Sequence, residues 1–304
     1  MIVATDAQLA HANLNAPEGD TITLVPRAWS TPLAPARPGI TYMARGSSIP
    51  PLTITRDRTV VIGTTVRGSL TVENCTRVEV RQCSVMGDDL RANQMLWLIR
   101  NVSRAFFSEV YSFARLSSVS ECRGRFFYGL SDSLVQDCET VIEYAGANVG
   151  EQFVHNVRDR SVRNAFQRDV IRAGLNSPRE WARNLHLASS GSYETTCHGN
   201  VYRDCRYETT GLIYLQEIVQ DWRLERCQFK GSEIRTNRVE RFTATGCRFE
   251  TRQRHAFIED GGGQSSGEMR DCVFVSAHDP GYGIGSAGLK VVNATSERPP
   301  VEGG

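Results

Sequence analysis

The sequence predicts an all-β fold, a single-stranded parallel β-helix of about 10–12 coils with a short N-terminal capping helix. Three observations lead there: a recurring short phrase, a corner residue inside the phrase, and alternation of buried and exposed positions after it. The phrase is a hydrophobic residue, two positions later usually Asn or Asp, then a small apolar anchor that is usually Cys. Its anchors are Cys75, Val102, Cys122, Cys138, Val157, Leu185, Cys205, Cys227, Cys247, Cys272 and Ala294, separated by 16 to 28 residues. A loose repeat of that length marks a solenoid, so the chain reads as one repetitive domain.

Strand alternation cannot put Val72 and Cys75 on one face, because they are three apart and side chains flip at every residue. A bend must intervene. Asn, Asp and Gly tolerate the left-handed backbone conformation, and they fill most of the positions before the anchors, among them Asn74, Asn101, Asn156 and Asn184. These residues are expected to be coil corners. After the anchor, Cys205-Arg-Tyr207, Cys227-Gln-Phe229, Cys247-Arg-Phe249 and Cys272-Val-Phe274 alternate, so a column of thiols should stand beside a column of rings. A leucine-rich repeat shares the period but needs a Leu-x-x-Leu-x-Leu framework that these coils do not carry.

This coil grammar resembles the pectin-lyase-like right-handed parallel β-helix superfamily, which includes pectate lyases, chondroitinase-B-like lyases and phage tailspikes. The N-terminus adds to the likeness. Ala4-Thr-Asp-Ala-Gln-Leu-Ala-His-Ala12 and Pro17-Glu-Gly-Asp-Thr-Ile-Thr-Leu24 resemble the short helix and first strand that open many such proteins. The resemblance implies a right-handed helix and architecture only. No catalytic motif of the superfamily is matched, and the fold hosts unrelated functions.

Along the chain, residues 1–68 are expected to form the N-terminal cap and irregular first coils, 69–295 the regular β-helix, and 296–304 a tail, all in one structural domain. The longer steps between anchors place insertions at 86–95, 163–181 and 251–267, on one side of the solenoid, where repeat proteins tend to bind.

Composition narrows the function classes. Net charge is +1, so no global field recruits nucleic acid or an anionic membrane. The chain has 33 arginines against the two lysines Lys230 and Lys290, which matches default surface use of Arg and also suits bidentate carboxylate binding. No stretch is long and apolar enough for a membrane span, and the opening Met-Ile-Val-Ala-Thr-Asp has no signal-peptide character. Seven of the nine cysteines are anchors, which points to free thiols serving as small buried hydrophobes.

Chemical motifs are sparse. Asp88 and Asp89 resemble the paired carboxylates of glycosidases, but the partner motifs of the polygalacturonases are missing, and a solvated turn is the simpler reading. His186, Cys197, His198 and Cys205 lack metal-ligand spacing, so no metal and no cofactor is expected. Trp181, Glu259 and Asp260, beside insertions, are the candidates for contact with a ligand or partner. The expected function is a non-enzymatic virion structural protein of a phage, a capsid decoration protein or tail component, assembled in the host cytoplasm. Its partners would be capsid or tail proteins or further copies of itself, as in a trimer, with a glycan as a further candidate and neither nucleic acid nor membrane. The alternative is a polysaccharide lyase or glycoside hydrolase acting on an acidic glycan.

Overall fold

The computed structural model describes residues 1–87, 94–116, 123–144, 152–175, 183–189, 197–216, 219–236, 239–251, 258–259, 265–276 and 288–298. Every named strand pairing is parallel, and the chain winds as a right-handed β-helix. Most coils contribute three strands, and a fourth, two-residue strand stacks at Cys197–His198, Val219–Gln220 and Val239–Glu240. In one coil the three are Glu79–Arg81, Ser84–Gly87 and Met95–Ser103, after which the chain returns one level up as Phe106–Ser108, Tyr111–Leu116 and Arg123–Ser131. The first two strands of each coil stack into a 22-stranded sheet that folds at the corner between them, and the third strands stack into a 9-stranded sheet.

The helix Asp6–Asn15 forms where the sequence supplies a capping box: Thr5 Oγ1 accepts from the Gln8 amide and the Gln8 side chain accepts from the Thr5 amide. It buries Leu9, Ala12 and Asn13. Asn13 ties the helix down, accepting from the Tyr42 hydroxyl at 2.6 Å and donating to the Pro32 carbonyl at 2.9 Å. Parallel pairing already begins with Ile2–Val3 on Thr21–Leu24, and Thr21–Leu24 in turn pairs with Thr41–Ile49.

The interior is filled by stacked columns. Between the first and second strands the residues after the corner line up as Cys83, Val110, Cys138, Asp169, Cys205, Cys227, Cys247, Cys272 and Ala294. The six cysteines among them are buried. Two residues further along, Tyr207, Phe229, Phe249 and Phe274 form a column, Tyr207 edge-on to Phe229 and the last three stacked with centroids 5.5 Å apart and nearly parallel rings. Full burial of such a ring is worth roughly 1.5–3 kcal/mol, so the column is a main source of cohesion between coils.

The anchor phrase marks more than one place in the coil, and this corrects two expectations. Cys75 pairs with Val102, and Val102 with Leu130, at a bend inside the third strand, away from the main thiol column. Asn74 and Asn101 do bend the chain there, each at φ 51°, with Asn101 Nδ2 donating to Asn74 Oδ1 at 3.0 Å. Asn156 does not. It sits inside the extended strand Gln152–Arg158, opposite Phe126, and the bend falls instead at Asp159 and Arg160. Val154, His155, Asn156 and Val157 are all buried, so the stretch has no alternating face for the phrase to report. Asn184 likewise lies within the strand Arg183–Ser189, opposite Phe153. The expected insertion at 163–181 begins as ordinary coil, because Ala165–Gln167 and Val170–Leu175 are ladder strands.

Candidate functional site

Most sequence-based candidates fall outside the described residues: Asp88, Asp89, Trp181, Asp260 and Cys122 all do. Glu259 ends the short strand Ile258–Glu259, which pairs with the strand Glu233–Thr236. Cys197 is buried, and His198 bridges Val162. Among the described residues no group of three His, Cys, Asp or Glu side chains could hold a metal ion.

What the sequence did not disclose is the chemistry of the corners. At the corner before each first strand and at the corner between first and second strands, the left-handed position is held repeatedly by Arg: Arg58, Arg77, Arg104, Arg163, Arg168, Arg226 and Arg241 have φ between 48° and 57°. Arg has no local hydrogen bond to offset the crowding of its Cβ in that conformation, unlike Asn or Asp. Four of these arginines have a visible compensation. Each forks onto an Asp in the corner one coil below: Arg163 on Asp132, Arg168 on Asp137, Arg226 on Asp204 and Arg241 on Asp221, every contact 2.6–2.8 Å. These hydrogen bonds are the main cause that holds all four carboxyls below the usual aspartate range. A residue pair at matched corners, separated by 20 to 31 positions, was the available signal.

The other three arginines form the candidate site. Arg58, Arg77 and Arg104 follow one another up the first corner, because the Arg58 amide donates to the Thr76 carbonyl, the Arg77 amide to Ser103 and the Arg104 amide to Ser131. All three side chains are exposed and rise by one strand spacing, ~4.8 Å, per coil. A concavity of about 450 Å³ opens over them, lined by Asp57, Arg58, Thr76, Arg77, Ser103, Arg104 and Asp132. Arg58 pairs with Glu18. Arg77 and Arg104 form no ion pair among the described residues; Arg104 acts on Asp132 only at longer range, the Asp132 carboxylate being occupied by Arg163. Asp57 is likewise engaged, accepting from the Thr76 amide at 2.8 Å. The groove therefore presents guanidinium forks and two hydroxyls on a rigid stack, an arrangement that binds anions.

A second cluster lies inside the solenoid. Asp169 takes the place of a cysteine in the main column, and Arg125 reaches it from the third strand Arg123–Ser131 of an earlier coil, across the coil of Cys138, donating to both carboxylate oxygens at 2.6 and 2.8 Å. Both side chains are fully buried. Tyr207 donates to Asp169 Oδ2 at 2.9 Å, and Thr140 Oγ1 accepts from Arg125 Nε. The guanidinium also lies 4.8 Å over the Trp97 ring. Burial pushes the Asp169 carboxyl above its usual range, and Arg125 and Tyr207 pull it back. Among the described residues both side chains are shielded from solvent, and the cluster ties the third strand to the second corner inside the solenoid.

No family model matches the chain, and no curated protein does. Among solved structures the chain is similar to tailspike protein 3 of bacteriophage CBA120, with 12% sequence identity and a TM-score of 0.40 over 96% of this chain and 51% of that one. The chain thus spans about half the length of that tailspike, and a likeness of this depth assigns no function.

Proposed function

We propose that this protein is a structural component of a phage particle, a capsid decoration or tail protein that works by docking and not by catalysis. The observation that carries the reading is the first-corner groove, where exposed guanidinium groups stand fixed on a stiff β-stack. A surface of this kind supplies orientation and affinity for an anionic partner. The buried, unpaired thiol column supports folding in a reducing compartment, as expected for a protein assembled in the host cytoplasm. Partners under this reading are capsid or tail proteins, or further copies of the chain.

Two measurements test it. Antibody raised against the protein should label purified particles from a lysed culture of its source, and particles free of it would overturn the reading. An acidic glycan is the competing partner, because the groove sets Asp57 and Asp132 beside arginines, the residue types of a lyase or hydrolase. Incubation with acidic glycans should release neither unsaturated products nor reducing ends. Cleavage abolished by Asp132→Asn would install the enzyme.

A further inference from the structure

We infer that the groove over Arg58, Arg77 and Arg104 is a docking site for a short run of carboxylates on an acidic protein segment, which completes the ladder that the chain leaves open there. The inference deepens the docking function proposed above by naming the partner's chemistry. Its basis is a comparison within the molecule. Wherever else an arginine occupies the left-handed corner with an Asp one coil below, the guanidinium forks onto that carboxylate. At Arg77 and Arg104 the corner below carries another arginine, so the same unfavourable backbone conformation is adopted beside a like charge and without the carboxylate. An incoming carboxylate would find there the same fork that Asp132, Asp137, Asp204 and Asp221 find within the chain. The Thr76 and Ser103 hydroxyls stand beside it to hydrogen-bond a second acceptor.

The two ends of the groove select the class of ligand. Asp57 closes one end and Asp132 the other, Asp57 engaged by the Thr76 amide and Asp132 by Arg163. A uniformly anionic polymer, such as an acidic polysaccharide or a nucleic acid, would continue over both and meet repulsion at each. A segment with two or three carboxylates ends before it reaches them. The seven lining residues include no aromatic ring on which a sugar or a base could stack.

The test is a binding titration of the whole protein with a fluorescein-labelled peptide of alternating Asp and Ser, followed by anisotropy, in parallel with polygalacturonate and a single-stranded oligonucleotide. The expected result is saturable, salt-sensitive peptide binding that weakens roughly tenfold or more in Arg77→Gln/Arg104→Gln. Arg226→Gln, which opens a distant corner pair, should bind as the wild type does. Arg77→Lys keeps the charge and the fold but loses the fork, and should weaken binding several-fold, which keeps the test decisive if the double variant fails to fold. No peptide binding, equal binding by the Arg77 variants, or tighter binding of either polymer would overturn the proposal. Because none of these readouts involves the phage particle, the site can fail while the virion reading stands, and labelled particles do not rescue the site.

Discussion

At the scale of single residues the backbone decides more than side-chain identity. Asn101 holds φ 51°, and a β-branched side chain resists that conformation, so Asn101→Val should cost about 1–2 kcal/mol. Asn156 is extended and buried, and its Oδ1 has no hydrogen-bond partner among the described residues. Asn156→Val then removes an unsatisfied acceptor from a strand that favours Val, and should change stability by less than about 1 kcal/mol. Urea titration of the two variants checks the contrast, and equal midpoints would remove the distinction between corner and strand. Asp169 is the most sensitive position. Asp169→Leu leaves the Arg125 charge buried and unpaired, with an expected loss of about 3–5 kcal/mol, whereas adding Arg125→Met should restore most of it. In the thiol column Cys227→Ala should cost roughly 1–2 kcal/mol, and Cys227→Asp should prevent folding of its coils, since a charge there has no partner. Burial also pushes the Cys138 thiol up to about 12, so Cys138 should resist alkylation near neutral pH in the folded protein and react when it is unfolded.

At the scale of elements, the corner ladders make stability depend on pH. Asp132, Asp137, Asp204 and Asp221 have folded pKa values depressed by their arginines. Their contribution is complete above the unfolded aspartate value of ~3.9 and is lost as the pH falls through the lower folded values. Melting temperatures should therefore fall as the solution is acidified below about pH 4, less steeply in Asp204→Asn, and added salt should blunt the difference because the pairs are exposed. How much of this could be read beforehand follows from residue chemistry. The thiol and ring columns were legible from Cys205 to Phe249 because there the outward residues Arg206, Gln228 and Arg248 are charged or polar and the inward ones are not, and Cys272 and Phe274 continue the same spacing. The phrase failed at Asn156, where both faces of the strand are buried, and it merged two different bends because Asn and Asp serve each of them. Cys83 was passed over although it heads the main column, since Gln82 and not Asn turns the corner before it. The arginine corners were invisible for the same reason: propensity places Asn, Asp or Gly at a left-handed position, and here contact with the next coil outweighs propensity.

For the molecule as a whole, the ladder pairs join adjacent coils and the Arg125–Asp169 pair reaches across one more, so stability is close to a sum over short groups of coils and their interfaces. Damage should stay local. In Asp169→Leu, hydrogen exchange should show lost protection from the strand Ala165–Gln167 through Arg206–Thr209, while the strands between Thr41 and Arg81 keep theirs; uniform loss would mean the solenoid unfolds as one unit. The fork pairs have one more consequence, which concerns winding. A solenoid whose strands look alike can pair a strand with the wrong turn of the spiral, and the hydrophobic column alone would tolerate the error. Asp132 meets its arginine only from the very next level, and a chain that skipped a level would set Asp132 against Gly199 and leave Arg163 stranded. Asp204 and Asp221 repeat the requirement near the other end. The corners thus count turns, favouring the native thread over one displaced by a level.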